Sequence, residues 1–358
     1  MKILARLDST LVVTVLFLEA VSLITLASGD QSLFVRQLVW VLVGLIFFFG
    51  LAITNLRAIF NYRWLILGIY FFVLILLAVT YFVAPFIHGA RSWLVLGPIQ
   101  LQPAEFMKAA FIILFSSFFA VRHVAIARVK IIVASFIYFI IPALLVLIQP
   151  DLGTTLVLFG IWFGYLLVSG LPLRYLLIAI TIALLLGVWG WHSLLADYQK
   201  DRVTGLFKPS EDPLGVNYSV FQSKIAIGSA GFFGKGFGQG TQVQLGFLPA
   251  AGTDFIFAAF VEEWGILGGI ILLSAFLLLI YRVLQLGLKS SNNFGRFLSL
   301  GIVIFLLLHF VINLGSVLGL LPVIGIGLPL VSYGGSSLLT SLVLLGILQG
   351  VVLRKGGF

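Results

Sequence analysis

Apolar runs of about 20 residues recur along almost the whole of this chain, and each is long enough to cross a hydrocarbon core of roughly 30 Å as a helix. In hydrocarbon every backbone N–H and C=O must be bonded inside the protein, so such a chain folds as a bundle of membrane helices. Only 9% of its 358 residues are charged and 61% are hydrophobic, whereas a soluble domain carries about 25% charge. Gly and Pro inside the runs fit this reading, because neighbouring membrane helices re-satisfy freed backbone groups. The basic start followed by Leu11–Ser28 has the order of a secretory leader. Its length and the many runs after it point instead to an uncleaved first helix.

The expected fold is therefore all-α: one polytopic membrane domain over residues 1–358. Ten spans are placed near 9–28, 34–53, 63–87, 104–121, 130–149, 152–170, 174–194, 258–281, 296–318 and 334–353. One long loop, 195–257, joins the seventh and eighth. With both termini cytoplasmic, the inner segments hold thirteen of the 21 Lys and Arg residues, and the short outer segments hold only Arg36, Arg91 and Lys108. That is the positive-inside distribution. The net charge of +9 is then explained by these loops and by contact with anionic membrane lipid, with no nucleic-acid partner. The absence of cysteine excludes disulfides, thiolate nucleophiles and cysteine metal sites.

The acids segregate the other way. Ten of the twelve fall on the outer half, and only Asp8 and Glu19 do not. A chain so poor in charge that gathers its carboxylates on one face uses that face for polar chemistry.

Within the loop, Val220–Ala230 reads as an amphipathic helix lying on the membrane, with Gln222 and Lys224 polar. The glycines of GFFGKGFGQG allow tight turns, but their spacing and the lack of a preceding strand argue against a nucleotide site. Asp254 stands where the eighth span begins and is either its N-cap or a functional carboxylate. The 17 uncharged residues from Trp264 to Ile280 alone cover roughly 26 Å. The helix is thus expected to project outward, with Asp254, Ala258 and Glu262 on one side and two carboxylates facing one cavity. Such a pair can act as base plus metal ligand or base plus cation partner. Glu263 reads as an ordinary interfacial carboxylate.

Between the third and fourth spans lie Arg91, Glu105 and Lys108. Glu105 and Lys108 form either an internal i,i+3 ion pair on a helix started by Pro103, or a site in which Lys108 meets an anionic group such as a pyrophosphate. Arg91, beside Trp93, is a second cation or an interfacial anchor. Asp151 favours a capping role, His309 a packed, hydrogen-bonded imidazole, and Gly315–Ser337 a stretch of non-helical backbone buried against protein or lining a cavity. No Ser/His/Asp triad, zinc-binding His cluster or P-loop is present, so the available chemistry is carboxylate and cation at a lipid–water boundary.

Five stretches, RSWLVLGPIQLQPAEFMKAA, IQPDLGTTLV, LFKPSEDPLGVNYSVFQSKIAIGSAGFFGKGFGQGTQ, LPAAGTDFIFAAFVEEWGILG and LLPVIGIGLPLVSYGGSSLL, resemble in order and spacing the motifs of the SEDS (shape, elongation, division, sporulation) family. Within it, QSKIAIGSAG and GKGFGQGTQ are closer to the elongation than to the division branch. The resemblance implies a ten-span peptidoglycan glycosyltransferase that polymerises lipid II, releases undecaprenyl pyrophosphate and works with a class B penicillin-binding protein. It implies that Asp254 is the catalytic residue, that Glu105 and Lys108 matter, and that a divalent cation, Mg or Mn, takes part. Substrate contacts are expected from Arg91, Glu105, Lys108, Asp151, Lys224 and Glu262, with Asp254 as general base. Two departures from the family pattern stand out: Ala250, Ala251 and Gly252 replace a frequent Glu-Arg-His, and Ser316 replaces a common Met. A lipid-linked precursor flippase and a non-catalytic scaffold for a penicillin-binding protein are the rival expectations.

Overall fold

Each of the ten apolar runs holds a helix in the computed structural model, which describes residues 7–56, 60, 62–85, 91–97, 99–123, 128–193, 200–201, 204–206 and 217–352. The long helices are α1 (Ser9–Gly29), α2 (Gln31–Ile53), α3 (Arg63–Val83), α4 (Pro103–Arg122), α5 (Val129–Ile148), α6 (Leu152–Val168) and α7 (Leu173–Ser193). Two shorter ones follow, α8 (Tyr218–Ser229) and α9 (Thr241–Gln244), and then α10 (Ile256–Leu288), α11 (Asn293–Val317) and α12 (Gly335–Val352). Eight are long and apolar enough to cross a membrane, α6 is a shorter apolar helix, and α7 coincides with the seventh expected run. An antiparallel hairpin of β1 (Leu94–Leu96) and β2 (Ile99–Leu101), with Leu94 opposite Leu101, leads into α4.

Helix starts follow local chemistry. Asp8 accepts from the Leu11 N–H (2.9 Å), Asp30 from those of Ser32 (2.8 Å) and Leu33 (3.1 Å), Asp151 from Thr154 (2.9 Å) and Asn292 from Gly295 (2.6 Å). Each cap satisfies amides that have no partner within the helix. Pro103 begins α4, where its missing N–H costs nothing. Helices α4, α11 and α12 form the centre, with α4 and α12 buried over most of their surface. Helices α2, α3 and α5 present broad apolar flanks outward, as lipid-facing helices do.

The eighth run departs from the expected straight helix. α10 breaks at Gly265 (φ 73°, ψ −177°), immediately after Glu262–Glu263–Trp264. Residues 231–236, from the middle of the glycine run, insert into the break. The Lys235 and Gly236 N–H groups donate to Glu262 O and Glu263 O (3.0 Å each), and those of Ile266 and Leu267 donate to Gly231 O (3.0 Å) and Phe232 O (3.2 Å). Four backbone groups freed by the break are thereby bonded within the protein, as a low-dielectric setting requires. Gly234 and Gly265 lie against one another's backbones, so that a Cβ on Gly234 would come 2.1 Å from Glu263 O, and one on Gly265 2.3 Å from Gly234 N. Both have positive φ, so only glycine suits either position.

The helix expected at Val220–Ala230 forms as α8, with Lys224 exposed. α8 packs its small face, Ser223 and Ala226, inward against α10 and α11, and Ser223 Oγ donates to Val317 O at 2.8 Å. It is a docked element of the bundle. Residues 195–199, 202–203 and 207–216 of the long loop lie outside the described residues.

Candidate active site

The sequence brings polar residues to one face of α11, and that face organises the site. His309 and Asn313 are four residues apart, hence one above the other and about 6 Å apart along the axis. His309 Nδ1 lies 2.9 Å from Gly327 O, and its Nε2 lies 3.2 Å from Lys108 Nζ. A carbonyl only accepts and an ammonium only donates, so Nδ1 carries the proton and Nε2 is the acceptor. Lys108 also donates to Glu105 Oε1 at 2.7 Å. Its ammonium lies 5.7 Å from the centroid of the Phe305 ring.

One turn above, Asn313 Nδ2 donates to both Asp254 O and Ile326 O at 2.9 Å. The turn that carries Asp254 is pinned further by Ser332 Oγ on Thr253 O (2.6 Å) and by the Tyr333 N–H on Gly252 O (2.8 Å). Residues 318–334 are non-helical, as expected from their Gly and Pro content, and their polar groups are used to hold this turn. Ala250 (φ 53°) and Leu330 (φ 66°) adopt backbone conformations unusual for non-glycine residues, one on each side of the contact.

Half-buried Asp254 precedes α10, whose N-cap position falls on Phe255 without a side-chain cap. Because it lies outside the helix, the expected alignment of Asp254, Ala258 and Glu262 does not form. Glu262, 0% exposed, points to the inserted loop, with Oε1 accepting from Lys235 Nζ (2.6 Å), Thr241 Oγ1 (3.1 Å) and Gln242 N (3.0 Å). Its carboxylate is fully occupied in holding residues 235–242 to α10. Glu263 is buried too, contrary to the interfacial reading, and accepts from Ser28 Oγ and from Gly238 N (3.2 Å).

The ion-pair reading of Glu105 and Lys108 is the one observed. Lys108 is 1% exposed, so in this conformation it supports Glu105 and His309 from within and does not present a surface cation to an anionic group. Asp151 caps α6 and also accepts from Thr154 Oγ1 (2.9 Å) and Gln102 Nε2 (3.0 Å), tying α6 to the start of α4. Arg91 is exposed just before β1. Lys224 is exposed on α8 and lines a cavity of about 120 Å³ with Asn217, Gly319 and Pro322.

The donors do not form a metal cage. Among the described residues no group of three or more His, Asp or Glu side chains is placed to hold an ion. Glu105, Asp151, Glu262 and Glu263 already accept from the protein's own donors. His309 is the packed, hydrogen-bonded imidazole expected, whereas sequence reading missed Asn313, although the signal was there: two polar residues at i,i+4 inside an apolar span.

Fold and site define an integral membrane protein of α-helices with a carboxylate-and-cation site at one end of the bundle. The chain belongs to the FtsW/RodA/SpoVE family, whose model, described as "Cell cycle protein", matches residues 2–355. It is 37% identical to the peptidoglycan glycosyltransferase MrdB of Escherichia coli K12 over 97% of this chain and 93% of the relative. It is 34% identical to stage V sporulation protein E of Bacillus subtilis 168, over 96% of each. Among solved structures it resembles a chain of a peptidoglycan synthase complex that coordinates polymerization and crosslinking, with a TM-score of 0.82, 36% identity and 97% of both chains covered. It also resembles the rod shape determining protein RodA of Thermus thermophilus, with a TM-score of 0.72, 31% identity, and 97% of this chain and 96% of that one covered.

Proposed function

We propose that this chain is a peptidoglycan glycosyltransferase that polymerises lipid II during cell-wall elongation, with Asp254 as general base. The relatives named above support the activity. The observation that carries the site is that the Asp254 turn and the Glu105–Lys108 pair hang on one face of α11, through Asn313 and His309.

Asp254 takes the proton of the 4-hydroxyl on the acceptor sugar, and that oxygen attacks C1 of the lipid-linked donor. The bond from C1 to the phosphate oxygen breaks, its electron pair leaves with undecaprenyl pyrophosphate, and the anomeric centre inverts. Pyrophosphate departs without the protonation a sugar alkoxide needs, so one carboxylate suffices and no glycosidase-type pair is required. On this reading Arg91 and Lys224, both exposed, are the cations that meet the developing negative charge. Lys108 fixes the orientation of Glu105 from behind.

The same reading places all ten long helices across the cytoplasmic membrane, with both termini cytoplasmic and the Asp254 end outside. It takes a class B penicillin-binding protein as the crosslinking partner. The test is synthesis of glycan chains from lipid II by the purified full-length chain, with and without that partner. Asp254→Asn is expected to lower the rate by 10² or more, as loss of a general base does. Unchanged synthesis by the variant removes Asp254 from the chemistry. Lipid II transport without polymerisation would favour a flippase.

A further inference from the structure

The end of the bundle opposite Asp254 has almost no carboxylate of its own. Thirteen Lys and Arg residues belong to that end in the sequence, with Asp8 as the single acid beyond the spans. Asp8 is taken: Arg282 Nη2 and Nε donate to its two oxygens at 2.5 and 2.8 Å. The remaining cations therefore look outside the chain for counter-charge.

Two of them share a cavity. Arg63 begins α3 and Arg122 ends α4, and both line a space of about 490 Å³ between α3, α4, α5 and the turn before α11. Among the described residues neither arginine has a carboxylate partner. Ile66, Leu114 and Phe118 give the cavity buried apolar walls. The Arg122 guanidinium lies over the Phe118 ring, 4.6 Å from its centroid, which holds the charge against the apolar wall. Val121, which lines the cavity, is 79% exposed, and Trp64, the residue after Arg63 on α3, is 83% exposed. Such side chains face acyl chains in a membrane.

Cations over apolar walls that open to the lipid flank match one amphiphile. We propose that this cavity binds an anionic phospholipid of the adjacent leaflet, with its phosphate between Arg63 and Arg122 and an acyl chain along Leu114 and Val121. Guanidinium groups bind phosphate oxygens in a bidentate fork, and basic pockets between membrane helices on the cytoplasmic side are suited to acidic headgroups. A free phosphate would satisfy the charge but leave the walls uncovered.

The test is native mass spectrometry of the full-length chain in detergent, titrated with phosphatidylglycerol, with phosphatidylcholine, and with inorganic phosphate as competitor. Phosphatidylglycerol is expected to be retained over phosphatidylcholine. Arg63→Gln with Arg122→Gln is expected to weaken its binding on the order of 25-fold, about fivefold for each arginine. Arg63→Lys with Arg122→Lys is expected to keep most of the affinity. Arg128→Gln with Lys130→Gln, which removes charge outside the cavity, is expected to change it little. The proposal is overturned if the chain shows no preference for the acidic lipid, or if the folded glutamine variant keeps it. It is equally overturned if the Arg128/Lys130 variant loses as much, or if millimolar phosphate displaces the lipid. Should the glutamine variant not fold, Leu67→Trp fills the cavity while leaving both cations, and retention of the lipid by that variant refutes the site.

Discussion

Among the described residues, two buried glutamates pair with a lysine, and the two pairs are built differently. Glu262 has both oxygens occupied, by Lys235, Thr241 and the Gln242 N–H. Glu105 receives only Lys108, on Oε1, and its Oε2 is buried with no hydrogen-bond partner among the described residues. The first carboxylate is saturated and acts as a tie between a loop and a broken helix. The second is under-satisfied, and its lysine is shared with a neutral imidazole on the face of α11 that holds the Asp254 turn. A buried polar atom left without a protein partner is costly, and this one belongs to the pair that meets the α11 face holding the Asp254 turn. On this contrast, changes around Glu262 should cost folding, whereas changes around Glu105 should cost activity first.

The hardest test of the saturated side is backbone overlap. Gly234→Ala would place a Cβ 2.1 Å from Glu263 O, with φ at 84°, and should cost about 4 kcal/mol or more, the range that backbone collisions reach. Gly238 has φ 70° but open space around it, so Gly238→Ala should cost only about 1 kcal/mol for the left-handed backbone. Thermal unfolding of the two variants in detergent compares them directly. Equal losses would mean that the insertion into the α10 break is not a stabilising interlock.

Glu262→Ala comes next. Removing one partner of a buried pair costs about 3–5 kcal/mol, and the 23% exposure of the Lys235 side chain lowers the expectation to about 3 kcal/mol. Denaturant or thermal unfolding reads this loss. Where the variant remains folded, glycan synthesis per folded molecule should stay within a few-fold of the parent.

For the under-satisfied pair the order reverses. Lys108→Met leaves the buried Glu105 without its cation and should cost about 3 kcal/mol, while adding Glu105→Gln should recover part of that loss. Activity should be lost in the single and the double variant alike. A double-mutant cycle read by both unfolding and lipid II polymerisation checks this, and activity that returns with stability would make the pair purely structural.

The ten helices were legible because hydrophobic runs of membrane length leave the backbone no alternative, and the apolar limits fell close to the helix ends. Asp254 was legible as a polar residue at the mouth of a span. The break at Gly265 was not, because it depends on residues 231–236, about 30 positions earlier, supplying donors and acceptors to a helix they follow only in space. The glycine run was visible, but nothing local says which helix it enters. The expected alignment of Glu262 with Asp254 was lost on a related point: Asp254 precedes the helix, and residues 235–242, distant in sequence, occupy the Glu262 carboxylate.

The smallest effect concerns carboxylates outside both pairs, and it separates capping from pairing. Asp30 is exposed and caps α2; hydrogen bonds from the Ser32 hydroxyl, the Leu33 amide and the Ser32 amide hold its carboxyl below the ordinary range. At Asp8 burial pushes the carboxyl up, but the Arg282 hydrogen bond, the Leu11 amide and the nearby cations outweigh it, so the net shift is also downward. A depressed folded pKa means a contribution that is complete above the unfolded value near 4 and is lost as pH falls through the folded value. Asparagine caps a helix about as well as aspartate, so Asp30→Asn should change stability at neutral pH by less than about 0.5 kcal/mol and remove one step of the acid limb. Asp8→Asn also gives up the ion pair with Arg282, so it should lose more at neutral pH and flatten the acid limb further. Unfolding followed from pH 7 down to pH 3 distinguishes the two, and identical profiles would show that Arg282 adds nothing to the cap.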